Sequence, residues 1–175
     1  MSDSDVERAF PQLAADGWKK TSEATADYNC WAFALHDQDD WYSPLRISGY
    51  YWPADKVPRN TTIPTMVELY RYEGGFEPCE NGEYEEGFEK IALYVNQAGN
   101  VTHAARQVDA RRWTSKLGNL ADIEHFLLSS LEDAGVKLDD YGKATKFLKR
   151  PVEAKLVPGL AGEIALAPTI RPKMS

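Results

Sequence analysis

Residues 88–117 read FEKIALYVNQAGNVTHAARQVDARRWTSKL, and the fold is decided there. Phe88 to Val95 is rich in apolar and aromatic residues, Gln97-Ala98-Gly99-Asn100 has turn chemistry, and Val101 to Val108 supplies a second strand. Asp109-Ala110 reads as a tight two-residue turn and Arg112 to Leu117 as a third strand, which predicts a three-stranded antiparallel meander. Alternation along the middle strand puts Val101, His103, Ala105 and Gln107 on one face. With two residues in the second turn, His103 stands roughly opposite Lys116.

Working outward, Gly118-Asn119 opens a predicted helix in which Leu120, Ile123, Leu127 and Leu131 recur at helical spacing, ending near Gly135. A last short element around Thr145 to Leu148 precedes Arg150-Pro151. Upstream, Asp27 or Asn29 can cap a helix that starts near Cys30, because each offers a side-chain oxygen to the free amides of a first turn. The run Trp31-Ala32-Phe33-Ala34-Leu35 has no polar face, so that helix reads as buried. Short helical signals also occupy residues 10–17 and 61–72, the second with Pro64 in its first turn and Gly74-Gly75 at its end. The aromatic stretch 41–53 is broken by proline and glycine and reads as loop with a short strand at most. The expected fold is α+β, with a Cys-bearing helix first and an antiparallel sheet of three or more strands after it. Residues 1–9 read as a flexible lead-in, 10–150 as one domain, and 151–175 as a basic Pro/Ala/Gly-rich tail or extended arm.

The chain has 175 residues, 43% hydrophobic, which supports one domain with a real core. A net charge of −7 weighs against nucleic acid as a partner. The longest apolar run, Cys30 to Leu35, is far too short to span a membrane. The opening MSDSDVERAF lacks an apolar signal region, so a cytoplasmic protein is expected. From Tyr141 onward seven basic and two acidic residues give +5, leaving −12 in residues 1–140. Eight glutamates fall between Glu68 and Glu89 against Arg71 alone, either a solvated face or a dock for the basic C-terminal segment.

Cys30 is the most suggestive residue. A thiol in the first turn of a helix feels its positive end, which favours thiolate. A Cys at a helix start facing a His on an antiparallel strand is the working geometry of papain-like thiol hydrolases, which nominates Cys30 as nucleophile and His103 as base. The amide of Cys30 is the economical oxyanion donor. Ser115, on the strand beside His103, and Asp122 are candidates for the orienting third group. Gln107 shares the face of His103 but lies about 13 Å along the strand. Asp122 and His125, three apart in the predicted helix, would share a face and point back at the site. Trp31, Lys116, His125 and Gln107 are the substrate-binding candidates, Lys116 for a carboxylate or an oxyanion. No cofactor or metal is called for: His36-Asp37-Gln38-Asp39-Asp40 lacks the glycine and terminal glutamate of a calcium loop and reads as a solvated helix end. The aromatics Trp41, Tyr42, Tyr50, Tyr51 and Trp52 suit either core or a groove. Cys79 reads as a spectator.

The segments Tyr28-Asn29-Cys30-Trp31-Ala32, Gly87 to Tyr94, Thr102 to Gln107, Trp113 to Gly118 and Asp122-Ile123-Glu124-His125 together resemble a bacterial domain family of unknown function, over roughly Phe10 to Pro151. The order of Cys before a sheet-borne His, with a Ser-Lys-x-Gly run after it, also resembles papain-like amidases and cell-wall peptidases. That resemblance implies a cysteine hydrolase acting on an amide bond of a peptide or similar substrate, as peptidase, amidase or deamidase. The competing expectation is a non-catalytic protein- or peptide-binding module on the same scaffold. A third is a metal enzyme using His103, His125 and Cys30.

Overall fold

The structure is a computed structural model that describes residues 3–132, 141–156 and 164–167. Helices α1 (Asp3–Ala9) and α2 (Pro11–Asp16) lead into β1 (Trp18–Lys20), and the short helix α3 (Cys30–Phe33) follows. Next come β2 (Trp41–Tyr42), β3 (Tyr50–Tyr51), α4 (Ile63–Gly74) and β4 (Glu77–Cys79). The meander is β5 (Phe88–Val95), β6 (Val101–Gln107) and β7 (Trp113–Lys116), continued by β8 (Asp122–His125), a 3-10 turn (Leu128–Leu131) and β9 (Lys143–Pro151). A hairpin of β10 (Glu153–Leu156) and β11 (Ile164–Ala167) ends the described chain.

The expected α+β class and antiparallel meander are present, inside a larger sheet. Seven strands run β1-β8-β7-β6-β5-β9-β4, every neighbouring pair antiparallel. The capping signals hold too: the Asn29 side chain accepts the amide of Ala32, and Gly75, with φ +70°, ends α4 in the left-handed conformation that glycine tolerates.

Three expectations need correction. The turn after β6 has three residues, Asp109 to Arg111, closed by Val108 N–H to Arg112 C=O at 2.8 Å. Asp109 stabilises it by accepting the amides of both Arg111 and Arg112 at 2.9 Å. Arg106 therefore pairs with Thr114 and Gln107 with Trp113. One extra residue moves the register by one and turns each side chain of β7 to the other face, so Ser115 joins His103 and Lys116 faces away.

The predicted helix after Gly118 is a strand. A tight turn with Leu120 N–H to Leu117 C=O at 2.8 Å sends the chain back along β7, whose free edge then takes four ladder pairs from β8. Those ladder bonds outweigh a helical spacing of leucines. Asp122 and His125 consequently lie on opposite faces. The expected helix end near Gly135 lies outside the described residues.

Residues 3–9, expected as lead-in, form α1, and Val6 is buried with Leu13, Ala92, Tyr94, Ala105, Trp113 and Ile123. This cluster covers one face of the sheet. The other face carries Ile91, Leu93, Ala104 and Leu148 and is packed by α3, α4 and the aromatic loops, with Tyr28, Phe33, Tyr42, Trp52 and Tyr70 buried there. The basic segment does meet the acidic one in part: β9 lies beside β5, Lys149 pairs with Glu85 at 3.0 Å, and Arg150 pairs with Glu89. Most of the tail, 157–163 and 168–175, lies outside the described residues.

Candidate functional site

Cys30 opens α3, as its sequence neighbours predict, on the face of the sheet that carries Ala104 and Lys116. Its sulfur is approached by the amides of Ala104, Trp31 and Cys30 itself, all of which favour thiolate. Burial outweighs them and the pull of Lys116, and pushes the thiol up to about 11. Lys116 is fully buried on that same face, donating to the carbonyls of Thr25 (2.7 Å) and Leu120 and lying over the Tyr28 ring at 5.1 Å. Tyr28 in turn donates to Asp122 at 2.6 Å. Burial raises the Asp122 carboxyl and lowers the Lys116 ammonium. Trp31 gives its carbonyl to the Tyr70 hydroxyl and packs edge-on to Trp52. Cys30, Lys116 and Asp122 thus share one buried polar layer beside Trp31, in which Asp122 Oδ1 and the Trp31 indole nitrogen have no hydrogen-bond partner among the described residues.

His103 lies on the opposite face. Its ring stacks on Tyr141 at 4.3 Å and meets Tyr94 edge-on, and its Nε2 is 3.0 Å from Ser115 Oγ. Ser115 Oγ is 2.8 Å from His125 Nε2, and His125 Nδ1 is 3.1 Å from the Leu127 carbonyl. A carbonyl only accepts, so His125 carries its proton on Nδ1 and its Nε2 accepts the Ser115 hydroxyl. Ser115 then accepts from His103 Nε2–H, which leaves His103 Nδ1 as a buried acceptor without a hydrogen-bond partner among the described residues. Burial pushes His125 down to about 4 and His103 well below its ordinary value, the nearby His125 adding to the latter. The result is a neutral His–Ser–His chain inside the core.

The sheet therefore divides the sequence-nominated residues. Cys30, Trp31, Lys116 and Asp122 fall on one side, and His103, Ser115, His125 and Gln107 on the other. β6 and β7 form ladder pairs at Arg106–Thr114 and Gln107–Trp113, and beyond those pairs the amide of Ala104, the residue after His103, turns to the Cys30 sulfur.

A different constellation lines an open cavity of about 320 Å³ where β5 begins and β6 ends, between His36, Tyr84, Gly87, Phe88, Glu89, Arg106, Gln107 and Val152. Glu89 faces Arg150 directly across the β5–β9 ladder. Arg150 Nε donates to Glu89 Oε2 at 3.0 Å, its Nη2 stands 2.9 Å from that oxygen as an ion-pair contact, and its Nη1 donates to the Gly74 carbonyl. His36 takes the other Glu89 oxygen. Burial alone would raise the Glu89 carboxyl, but His36, Arg150 and Arg106 hold it below its ordinary value. The backbone of His36 sits at φ +62°, a left-handed conformation that costs about 1 kcal/mol or more outside glycine.

With Glu89 shared between His36 and Arg150, Arg106 is left over. Its guanidinium lies over the Phe33 ring at 5.2 Å, and burial lowers its affinity for a proton. Its Nε is buried without a hydrogen-bond partner among the described residues, as is Oε1 of the neighbouring Gln107, whose Nε2 donates to the Gly82 carbonyl. Sequence reading took His36 for part of a solvated helix end and passed over Glu89, Arg106 and Arg150. A signal was there: Glu89 alternates with Ile91 and Leu93, and Arg106 with Ala104, so both charges point to a face that is otherwise apolar.

The aromatic stretch divides between core and surface. Tyr42 is buried, Trp52 donates its indole N–H to the carbonyls of Val57 and Pro58, and Trp41 stacks on Tyr50 beside a shallow surface depression. Among the described residues no three His, Cys, Asp or Glu side chains converge as a metal site would require, and no helix is long and apolar enough to cross a membrane. No curated protein and no solved structure matches the chain. A domain family of unknown function (DUF7689) matches residues 19–149, three quarters of the sequence, and the chain belongs to that family.

Proposed function

We propose that this domain is a non-catalytic peptide-binding module, built on a papain-like helix-then-sheet scaffold, whose ligand enters the cavity at Arg106. One observation carries this reading: Arg106, whose Nε is buried without a hydrogen-bond partner among the described residues, lines an open cavity. Pockets that bind small groups are largely apolar with a few convergent polar atoms, and this one combines Tyr84, Phe88 and Val108 with Arg106 and Gln107. A reducing cytoplasmic setting fits the two free thiols.

The hydrolase reading draws its support from the three amides gathered at the Cys30 sulfur. One experiment separates the two. A panel of fluorogenic peptide amides is incubated with the wild-type protein and with Cys30→Ser, and short peptides from a random library are selected on both. The module reading expects no turnover above buffer and the same peptides enriched by both proteins. Turnover that Cys30→Ser abolishes would overturn it.

A further inference from the structure

Arg106 stands directly across from Ile91 on the β5–β6 ladder, so alternation puts Glu89 and Val108 on its face of the sheet. Arg150, paired with Glu89 on the β5–β9 ladder, shares that face. Two guanidinium groups therefore stand near one carboxylate. Glu89 is spent on Arg150 and His36, and Arg150 on Glu89 and the Gly74 carbonyl. Arg106 spends nothing: its Nε is enclosed, its two Nη nitrogens are not, and none of them donates to a described residue. We infer that the cavity takes a single carboxylate on an apolar stem, bound end-on by the two Nη nitrogens of Arg106. The inference rests on the binding-module reading and names the chemical class of its ligand.

Charge and shape select the class. Two arginines face one buried carboxylate, so a single negative charge completes the cluster. A phosphate dianion would bring a second negative charge beside Glu89 and the rim carboxylate Glu86, which also lines the cavity. Glu85 is tied to Lys149 through both its oxygens and does not compete for Arg106. A carboxylate matches the planar fork of a guanidinium with two parallel hydrogen bonds. The fork is held over the Phe33 ring at 5.2 Å, so less side-chain freedom is lost when a ligand arrives. Tyr84, Val108 and Val152 offer apolar surface to the stem, and Tyr84 and Val108 are well exposed. About 320 Å³ holds a group the size of one side chain. An acidic side chain of a peptide and a free short-chain acid present the same chemistry, and the experiment separates them.

The test is titration of the full chain with N-acetyl-glutamate N-methylamide, its glutamine counterpart, butyrate and inorganic phosphate, following the Arg106 Nε–H resonance by NMR and the affinity by calorimetry. The glutamate compound is expected to move that resonance. Its glutamine counterpart should bind about tenfold more weakly or worse, since it gives up a charge-assisted hydrogen bond. Arg106→Gln should lose the preference for acid over amide, and Arg106→Lys should keep part of it, as a charge without the fork. Equal binding of the glutamate and glutamine compounds, no response to either, or tighter binding of phosphate overturns the inference, whether or not the variants fold. Butyrate binding as tightly as the glutamate compound supports the carboxylate site but makes its ligand a free acid, which sinks the peptide reading alone. Equal binding of the two capped compounds leaves the module reading in place, since the apolar walls still offer a peptide a surface. None of these outcomes depends on Cys30.

Discussion

Cys30 shows how a local signal is overruled by its surroundings. The cap at Asn29 and the first-turn position are as the sequence implies, and amides do surround the sulfur. Burial nevertheless raises the thiol to about 11, whereas a nucleophilic thiol needs it lowered. Iodoacetamide should therefore label Cys30 more slowly than the partly exposed Cys79 at neutral pH, as read by mass spectrometry of the tryptic peptides; faster labelling at Cys30 would contradict the burial argument. The two buried histidines make a second residue-scale prediction. Both are neutral in the fold and take up protons more readily when unfolded, so the unfolded state binds more protons as pH falls below 6.5. Stability present at pH 7 is then lost on acidification, by about 1.4 kcal/mol per pH unit per histidine down toward the folded pKa, near 4 for His125. Urea midpoints at pH 7, 6 and 5 should fall steadily. A flat profile across that window would mean that the histidines are not buried as neutral groups, since carboxylates such as Glu89 titrate lower.

At the scale of elements, the sequence was most legible where chemistry is local. Asn29 and Gly75 mark helix ends because their side chain, or lack of one, answers an unpaired backbone group next door. The β5–β6 turn was equally plain, with the Asn96 side chain accepting the amides of Ala98 and Asn100. The length of the β6–β7 turn was not legible, because Asp109-Ala110 and Asp109 to Arg111 are both reasonable turns and differ by one residue. That single residue decides whether Lys116 or Ser115 stands beside His103. Entry into β9 depends on Gly142 at φ +80°, where an added Cβ would fall 2.0 Å from the Val95 carbonyl oxygen. Gly142→Ala should cost more than about 1 kcal/mol, seen as a lowered denaturation midpoint. An unchanged midpoint would show that β9 enters the sheet by another path.

For the whole molecule, the sheet is a two-sided core, and both sides need covers. One cover is built from α3, α4 and the aromatic loops, the other from α1, α2 and the turn at Leu128–Leu131. Val6 is almost fully buried and Glu7 accepts the indole N–H of Trp18, so the first helix belongs to the fold. Deleting residues 1–9 should lower stability by roughly 1.5–3 kcal/mol, the worth of one buried valine, measured by chemical denaturation. No change on deletion would return this segment to the status of a lead-in. The charge split now has a partial structural account: the basic strand β9 sits beside β5 and pairs Lys149 and Arg150 with Glu85 and Glu89.

The sequence by itself determined the elements with local causes: the Cys30 helix and its cap, the helix ended by Gly75, the strands of the meander, and the α+β class. Only the tertiary structure decided which side of the sheet each side chain faces, and with it the fate of the candidate site. Facing in a strand alternates with every residue, so it depends on register, and register depends on turn lengths and partners far along the chain. Cys30 and His103 carry the right chemistry for a pair, and they meet β6 at neighbouring residues, the Cys30 sulfur at the amide of Ala104. Arg106 carries no motif at all. It became conspicuous once Arg150 and His36, 44 residues downstream and 70 upstream of it, had taken the carboxylate of Glu89.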